Sequence, residues 1–230
     1  MKIENWLLGA LLQSGYDHLL AHLEPVSLSY AQTLYEPDEP IQFVYFPNDA
    51  VVSLLSLTRD GETIEVGMIG YEGMMDIAVV LGADAIPYRA YVQIPGSGLR
   101  MKTEVIRSEF GQVGRLHDLL LRYTHLRITQ ISQSAVCNRF HPVEQRLCRW
   151  LLVAQDRVRS DEIQLTQEVM ARMLGVRRAS VTEAAGNLQK AGLIQYTRGQ
   201  ITILDRRGLE AATCECFAIV KHVLDWFLAT

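Results

Sequence analysis

The sequence predicts an α+β fold in which an N-terminal β-rich domain is followed by one long helix and a smaller helical domain. Three observations predict it. Between Pro25 and about Met101, turn residues interrupt a sequence rich in Val, Ile, Tyr and Phe roughly every 8–12 residues. From Thr103 to Asn138 there is no proline and apolar residues recur at helical spacing. After His141-Pro142, helical periodicity returns in shorter segments.

The composition is that of an ordinary globular protein. The chain has 230 residues, 49% of them hydrophobic, and a formal net charge of −4. This length accommodates one large or two small domains and excludes a fibrous or disordered chain. The 4 cysteines are too few to crosslink a secreted scaffold. No apolar stretch is long enough to cross a bilayer. We therefore expect a cytoplasmic protein that contacts no membrane.

The first 108 residues are assigned to a β-domain with the turn spacing of a jelly roll. Its clearest local signal is the pair AVVSLLSL and ETIEVGMI, which are joined through Asp60-Gly61. Glycine tolerates the positive φ that a tight hairpin turn requires. Short strands separated by frequent turns therefore predict a β jelly roll over residues 1–108.

Residues 109–138 are predicted to belong to one long helix. A helix of about 30 residues exceeds what a small barrel can cover, so part of its apolar stripe needs another partner. One alternative is that the helix lies across its own β-domain. The heptad-like spacing favours the other, in which two copies pair in a homodimer. The residues predicted for this dimer seam are Leu116, Leu120 and Tyr123.

Residues 139–230 are predicted to form a winged helix-turn-helix domain. Thr166 is suited to cap a helix, Ala171 is small enough for two helices to cross closely, and Gly175 supplies the turn. Gly192 ends the second helix. The following segment alternates around Arg198-Gly199, as in a β-hairpin wing.

The charge distribution points to nucleic acid. Residues 1–138 carry 9 Lys and Arg against 16 Asp and Glu, whereas residues 139–200 carry 10 against 6. Arg177 and Arg178 stand at the start of the second helix, where the helix dipole disfavours cations and a phosphate would offset that cost. The bland alternative is a pair of solvated arginines. Arg177, Arg178 and the wing residue Arg198 are therefore predicted to bind DNA.

The segment LTQEVMARMLGVRRASVTEAAGNLQKAGLI, with the hairpin TRDGETIEV and the following GMIGYEG, resembles the catabolite-activator and FNR (Crp/Fnr) family of transcriptional regulators. The resemblance extends over nearly the whole chain. It implies a cyclic-nucleotide-binding-type jelly roll, a long dimerisation helix and a winged helix-turn-helix. It also implies a homodimer that binds double-stranded DNA and acts on RNA polymerase, and not an enzyme. The DNA-binding residues that the resemblance implies, besides the three arginines, are Thr166, Gln167, Ser180, Thr182 and Glu183. The alternative is a ligand-binding module that has lost specific DNA reading.

The recognition helix departs from the family pattern. The family often has a Glu directly after a base-reading Arg, and an Arg four residues beyond that Glu. Here Arg178 is retained, but Ala179 and Glu183 occupy the other two positions. A carboxylate accepts from the N4 amino group of cytosine and does not pair with the acceptors of guanine. We therefore expect an operator that differs from the family's common one. Ser180 contacts DNA or merely caps the first turn of this helix.

The effector pocket departs further. Where cyclic-nucleotide binders have a Gly-Glu pair and an Arg-Ser pair, this chain has Gly73-Met74 and Tyr88-Arg89. Met74 cannot accept a hydrogen bond from a ribose hydroxyl as a carboxylate does. The sequence therefore predicts no response to cyclic AMP, an unknown effector and no cofactor. The nearest candidates for effector binding are Glu72, Arg89 and Ser132.

The spacing of the cysteines and histidines does not predict a complete set of metal ligands. The first cysteine is Cys137, which excludes the N-terminal iron-sulfur cluster of the FNR branch, and no histidine falls in the predicted barrel strands. Cys137 and His141 are four residues apart and form half a metal site at most. Cys214 and Cys216 diverge by about 200° if both lie on one helix. We expect core cysteines and no metal.

Overall fold

The chain folds into a β-domain, a long helix and a winged helical domain, in the order predicted. The structure is a computed structural model that describes residues 2–229. Helix α1 (Trp6–Gln13) and a short 3-10 helix (Asp17–His22) precede the β-domain. Its strands are β1 (Glu24–Leu28), β2 (Thr33–Tyr35), β3 (Phe43–Pro47), β4 (Val51–Leu57), β5 (Thr63–Ile69), β6 (Arg89–Ile94) and β7 (Gly96–Lys102).

The seven strands form two antiparallel sheets, in the orders β1-β7-β3 and β2-β6-β4-β5. Their inner faces share one core with α1 and the long helix; Phe46, Val52 and Val92 in it are inaccessible to solvent. The β4–β5 hairpin lies where the sequence predicts it. Its turn includes Gly61 at a φ of +81°, a conformation that suits glycine.

The segment predicted as one continuous helix is interrupted. It consists of α2 (Thr103–Phe110) and α3 (Arg115–Phe140). Gly111 ends α2, and Gly114 is fully extended before α3 begins. Gly is a poor helix former, so the two glycines allow the chain to turn there although no proline is present. The 26 residues of α3 give a helix about 39 Å long, at 1.5 Å per residue.

The predicted dimer seam of Leu116, Leu120 and Tyr123 is wrong. All three side chains have no accessible surface within this one chain, because they pack into the core of its own β-domain. The opposite face of α3 leaves Leu121 and Ile128 exposed, with Ile128 at 59%. The apolar stripe seen in the sequence therefore combines two faces of α3. One packs on the β-domain, and only the face with Leu121 and Ile128 is exposed and can contact another molecule.

A second core holds the C-terminal domain together. Its helices α4 (Val143–Val158), α5 (Gln167–Leu174), α6 (Arg178–Lys190) and α7 (Arg206–Ala212) surround a small sheet in the order β8-β10-β9. These strands are β8 (Glu162–Gln164), β9 (Ile194–Thr197) and β10 (Gln200–Ile203). Among residues 2–229, no helix is both long and apolar enough to cross a membrane.

The last helix, α8 (Glu215–Leu228), returns to the first half of the molecule. It packs along α3, and Phe227 is buried with its ring centroid 4.7 Å from that of Trp6 and 5.6 Å from that of Tyr123. The end of the chain therefore completes the core of the β-domain. This arrangement couples the winged domain to the long helix.

Candidate nucleic-acid interface

Helix α5 and the turn after it have the local features expected of a helix-turn-helix. Thr166 is the N-cap and accepts a hydrogen bond from the Val169 amide at 3.3 Å. Gly175 has a φ of +60°, which ends the helix in the left-handed conformation. The buried Arg146 of α4 donates to the Leu174 carbonyl oxygen. These contacts fix the direction in which the chain enters α6.

Helix α6 presents its first turn to solvent. Arg177 is the N-cap residue, its side chain makes no capping hydrogen bond, and both Arg177 and Arg178 are exposed. Ser180 does not cap the helix; it lies within the first turn, where its amide donates to the Arg177 carbonyl oxygen at 3.0 Å. Thr182 and Glu183 follow on the exposed side. The two arginines at this helix end are therefore accessible to an anion.

Two predicted DNA-binding residues contact each other across the motif. The Thr182 hydroxyl lies 2.9 Å from Gln167 Oε1, to which it donates a hydrogen bond. Gln167 is the first residue of α5, so this bond joins the starts of the two helices. The contact fixes α5 relative to α6, which carries the exposed arginines.

The wing lies beside the start of α5. Arg198 and Gly199, with φ values of +49° and +86°, form the tight turn between β9 and β10. The Leu165 amide donates to the Gly199 carbonyl oxygen at 2.7 Å, which holds the wing tip beside Thr166. Arg198 is exposed. The two helices and the wing thus bring the predicted residues to one region of the domain.

The β4–β5 hairpin approaches the same region. A cleft of about 330 Å³ lies between them and includes Asp60 and Glu62 on the hairpin and Arg172 and Arg178 on the helices. A Cβ added to Gly175 would lie 2.9 Å from Ile64 Cδ1, so β5 touches the turn of the motif directly. The recognition helix therefore begins next to an acidic hairpin of the β-domain.

Glu72 does not have the role that the sequence suggests. Its carboxylate is buried, and its Oε1 accepts hydrogen bonds from Nε and Nη2 of Arg157 at 2.9 and 2.7 Å. Arg157 belongs to α4 and packs against Gly70, where a Cβ would lie 2.8 Å from its Cγ. The prediction that Glu72 binds an effector is corrected accordingly: it forms an ion pair that joins the two domains.

A second carboxylate strengthens this domain contact. Glu65 on β5 accepts hydrogen bonds from the Trp150 indole at 3.0 Å and from the Ser53 hydroxyl at 2.6 Å. Burial raises the pKa of Glu65 to about 7, although these two hydrogen bonds and the charges of Arg149 and Arg157 favour the ionised form. Neither the Glu65–Trp150 nor the Glu72–Arg157 contact can be predicted from local sequence patterns, because the partners are 85 residues apart.

The predicted effector residues are not brought together. Arg89 pairs with Glu36 at 2.8 Å, and Ser132 is exposed on α3. Above Gly73 lies the ring of Tyr123, whose hydroxyl donates to the Met74 carbonyl oxygen at 3.0 Å. The prediction that Glu72, Arg89 and Ser132 form one effector site is therefore wrong.

Three buried or partly buried polar side chains that the sequence analysis does not single out, Asp76, Tyr88 and Arg127, lie between the β-domain and α3. Arg127 is buried and donates to the Met68 carbonyl oxygen at 2.8 Å, and the Tyr88 hydroxyl donates to Asp76 at 3.0 Å. Burial raises the pKa of Asp76, while Tyr88 and the charge of Arg127 act in the opposite sense. An arginine at a helical position among apolar residues was the available signal for this group.

Comparison with known proteins identifies the helix-turn-helix domain. Residues 145–212 match the family model described as a Crp-like helix-turn-helix domain. The global nitrogen regulator of Synechocystis sp. is 24% identical, over 75% of this chain and 81% of that protein. FixK2 from Bradyrhizobium japonicum has a TM-score of 0.70 at 16% identity, covering 84% of this chain and 98% of that one. A transcriptional regulator of the CRP family from Thermus thermophilus has a TM-score of 0.67 at 17% identity, covering 81% and 95%.

The matched family model spans α5, α6 and the wing, where the exposed arginines lie. The structural matches extend over the β-domain and the long helix as well. The chain therefore has a Crp-like helix-turn-helix domain, and its overall fold is similar to that of transcriptional regulators of the Crp/Fnr family.

Proposed function

We propose that this protein binds a palindromic DNA site as a homodimer in the cytoplasm, and that it thereby raises or lowers the activity of RNA polymerase at nearby promoters. The observation that carries the proposal is the exposed, cationic start of α6, where Arg177 and Arg178 lie, together with the exposed Arg198 on the wing. Arg178 reads a base in the major groove. Arg177 and Arg198 contact phosphates, and Thr166, Gln167, Ser180, Thr182 and Glu183 complete the interface.

The exposed face of α3 supports the dimer. Leu121, Thr124, Ile128, Ile131 and Ala135 follow one another at alternating steps of three and four residues, which is the spacing of a two-stranded coiled coil. Leu121, Ile128 and Ile131 are each more than two-fifths exposed in the single chain. Pairing along this face would place the two recognition helices in successive major grooves, about 34 Å apart.

The experiment that tests the proposed function is the substitution Arg178→Ala. We expect it to weaken binding to a selected operator by about 1–3 kcal/mol and to relax one base position in each half-site, because a bidentate contact with guanine carries that much discrimination. Fluorescence anisotropy and operator selection measure the two effects. Arg198→Ala should weaken all sequences alike and reduce the salt dependence.

Arg207→Ala is the matched control, since Arg207 is an exposed arginine of the same domain on α7, outside the helix-turn-helix. It should change neither affinity nor sequence preference. An Arg178→Ala variant that selects the wild-type operator with wild-type affinity would show that α6 is not the recognition helix.

We further propose that cyclic AMP is not the effector. In the Gly73-Met74 segment, the carboxylate that would accept from the ribose is replaced by a buried Met74, and the Tyr123 ring occupies the space above Gly73. Arg89 is already paired with Glu36. A nucleotide would have to displace Tyr123 and would leave polar groups without partners, at about 1–3 kcal/mol for each lost hydrogen bond.

Two such losses amount to roughly 1.5 to 4 decades of affinity, which would move a micromolar ligand toward the millimolar range. Titration calorimetry with cyclic AMP and cyclic GMP should therefore show no binding at physiological concentrations. Binding with a dissociation constant near or below about 10 µM, together with tighter operator binding, would contradict this assignment of the pocket.

A further inference from the structure

Four metal-ligating side chains meet where the long helix ends. They are Cys137, His141, Cys214 and Cys216, and their potential ligand atoms all lie within 4.8 Å of one another. Cys137 is in the last turn of α3, His141 follows that helix, and the other two stand at the start of α8. Two segments of the chain, 77 residues apart at the Cys137–Cys214 contact, thus converge on one point.

The spacing of the ligand atoms fits one tetrahedral ion. Cys137 Sγ lies 3.6 Å from Cys214 Sγ, and Cys216 Sγ lies 3.6 Å from His141 Nδ1. With Zn–S near 2.3 Å and Zn–N near 2.0–2.1 Å, the edges of a tetrahedral zinc site are about 3.8 Å between two sulfurs and about 3.6 Å between sulfur and nitrogen. A multinuclear iron-sulfur cluster would hold its ligands farther apart. Three cysteines and one histidine are also a common ligand set of structural zinc.

The histidine has the second contact that a zinc ligand usually has. While Nδ1 faces Cys216, Nε2 of His141 lies 3.3 Å from a carboxylate oxygen of Glu215. Donation of the Nε2 proton to a carboxylate leaves Nδ1 free as the metal ligand and fixes the orientation of the ring. Nδ1 of His141 is therefore placed to bind a metal ion, and Nε2 is placed to donate a hydrogen bond to Glu215.

The three thiols are not ordinary core cysteines. All are buried, yet they form a cluster of their own that is separate from the two hydrophobic cores. In contrast, Cys148 packs within the core of the winged domain. The expectation that Cys214 and Cys216 diverge on a helix is wrong, because Cys214 is the extended N-cap residue of α8 and only Cys216 lies in the helix.

A cation is also available to balance the charge of such a site. Three thiolates around Zn²⁺ leave a net charge of −1. Arg149 of α4 is close enough to Cys137 and Cys216 to interact with them electrostatically.

We propose that Cys137, His141, Cys214 and Cys216 bind one structural Zn²⁺ ion, with Glu215 as a positioning residue for His141. All four positions are filled by protein, so the ion would have no open coordination site for chemistry. It would fasten the end of α3 and the connection to α4 onto the start of α8. These are the segments through which the DNA-binding domain is attached, so the ion would fix the orientation of that domain.

The test is the metal content of the full-length protein, purified without a histidine tag and without chelators. Mass spectrometry of the elements should find about one zinc per chain in the wild type and in Cys148→Ala, the matched control for a buried thiol. Cys216→Ala should lose most of the zinc. Glu215→Ala should keep it at saturation but bind about 10–100-fold more weakly in competition with a chromogenic chelator.

Loading the wild-type protein with Co²⁺ provides a readout that does not depend on the folding of a variant. Tetrahedral thiolate ligation should give intense visible absorption and a sulfur-to-cobalt charge-transfer band. Wild-type protein that contains no zinc and shows four freely reactive thiols after unfolding would overturn the proposal. So would a Cys137–Cys214 disulfide, stoichiometric iron, or zinc that Cys216→Ala and Cys148→Ala retain equally.

Discussion

Replacing Arg157 by Met is expected to lower the free energy of unfolding by about 3–5 kcal/mol, because it leaves the Glu72 carboxylate buried without a counter-charge. Both members of this pair are nearly inaccessible, at 4% for Arg157 and 1% for Glu72. Met preserves most of the aliphatic stem that packs on Gly70, so the loss of stability comes mainly from the loss of the positive charge. In a chain of this size the loss corresponds to a decrease in Tm of about 10 °C.

The double variant Arg157→Met/Glu72→Gln should recover most of this loss. It removes both charges, and the amide oxygen of Gln can still accept from the Gly70 amide, which donates to Glu72 Oε2 at 3.1 Å in the wild type. The matched control is Arg89→Met. The Arg89–Glu36 pair has the same chemistry and a similar 2.8 Å contact, but both side chains are more than a third exposed.

An exposed ion pair contributes about 0–1 kcal/mol, so Arg89→Met should have little effect. Chemical denaturation, followed both by tryptophan fluorescence and by circular dichroism, measures all four proteins. If Arg157→Met costs no more than Arg89→Met, the buried pair does not hold the two domains together. A double variant as unstable as the single one would show that packing, and not charge, is responsible.

The features that could be predicted from the sequence are those fixed by neighbouring residues. Thr166 caps α5, Gly175 makes the turn, and Arg198-Gly199 forms the wing, as predicted. Each of these depends on the conformational preference of one or two residues, which the sequence displays directly. The order of the domains follows from the same local signals. Local chemistry therefore sufficed for the helix-turn-helix and for the fold class.

The features that could not be predicted depend on contacts between distant residues. Nothing near Glu72 indicates that Arg157, 85 positions later, neutralises it. Cys137 and Cys214 are similarly remote, and the extended conformation of Cys214 that aims its sulfur at the site is not visible in a spacing rule. The interruption between α2 and α3 occurs at Gly111 and Gly114 without a proline, so the apolar periodicity of the segment does not reveal it.

The stripe on α3 shows a more general limit. An apolar periodicity says that a helix face is covered, but it does not say whether the cover is the same chain or a second copy. Leu120 is covered by its own β-domain, whereas Leu121, one residue later and 100° around the helix, is exposed. Only a structure of the single chain separates these faces. It moves the proposed dimer seam to Leu121, Ile128 and Ile131.

Ile128→Asp is therefore expected to yield monomers and to lower operator affinity by about 100-fold or more. Ile128 is 59% exposed in the single chain, so the substitution should leave the fold intact, but a dimer would have to bury the new carboxylate at the centre of its seam. A monomer loses the second half-site, and bivalent attachment typically accounts for 10²–10⁴ in affinity. Val113→Asp is the control, since Val113 is 92% exposed and lies before α3 begins.

Analytical ultracentrifugation at micromolar concentration and anisotropy titration with full and half operators measure these effects. The wild type and Val113→Asp should sediment as dimers and prefer the full site, whereas Ile128→Asp should sediment as a monomer and bind the two DNAs almost equally. Leu120→Asp would give no clean answer, because it would bury a charge in the core of its own chain. A monomeric wild type, or an Ile128→Asp variant that is still dimeric, would contradict the proposed seam.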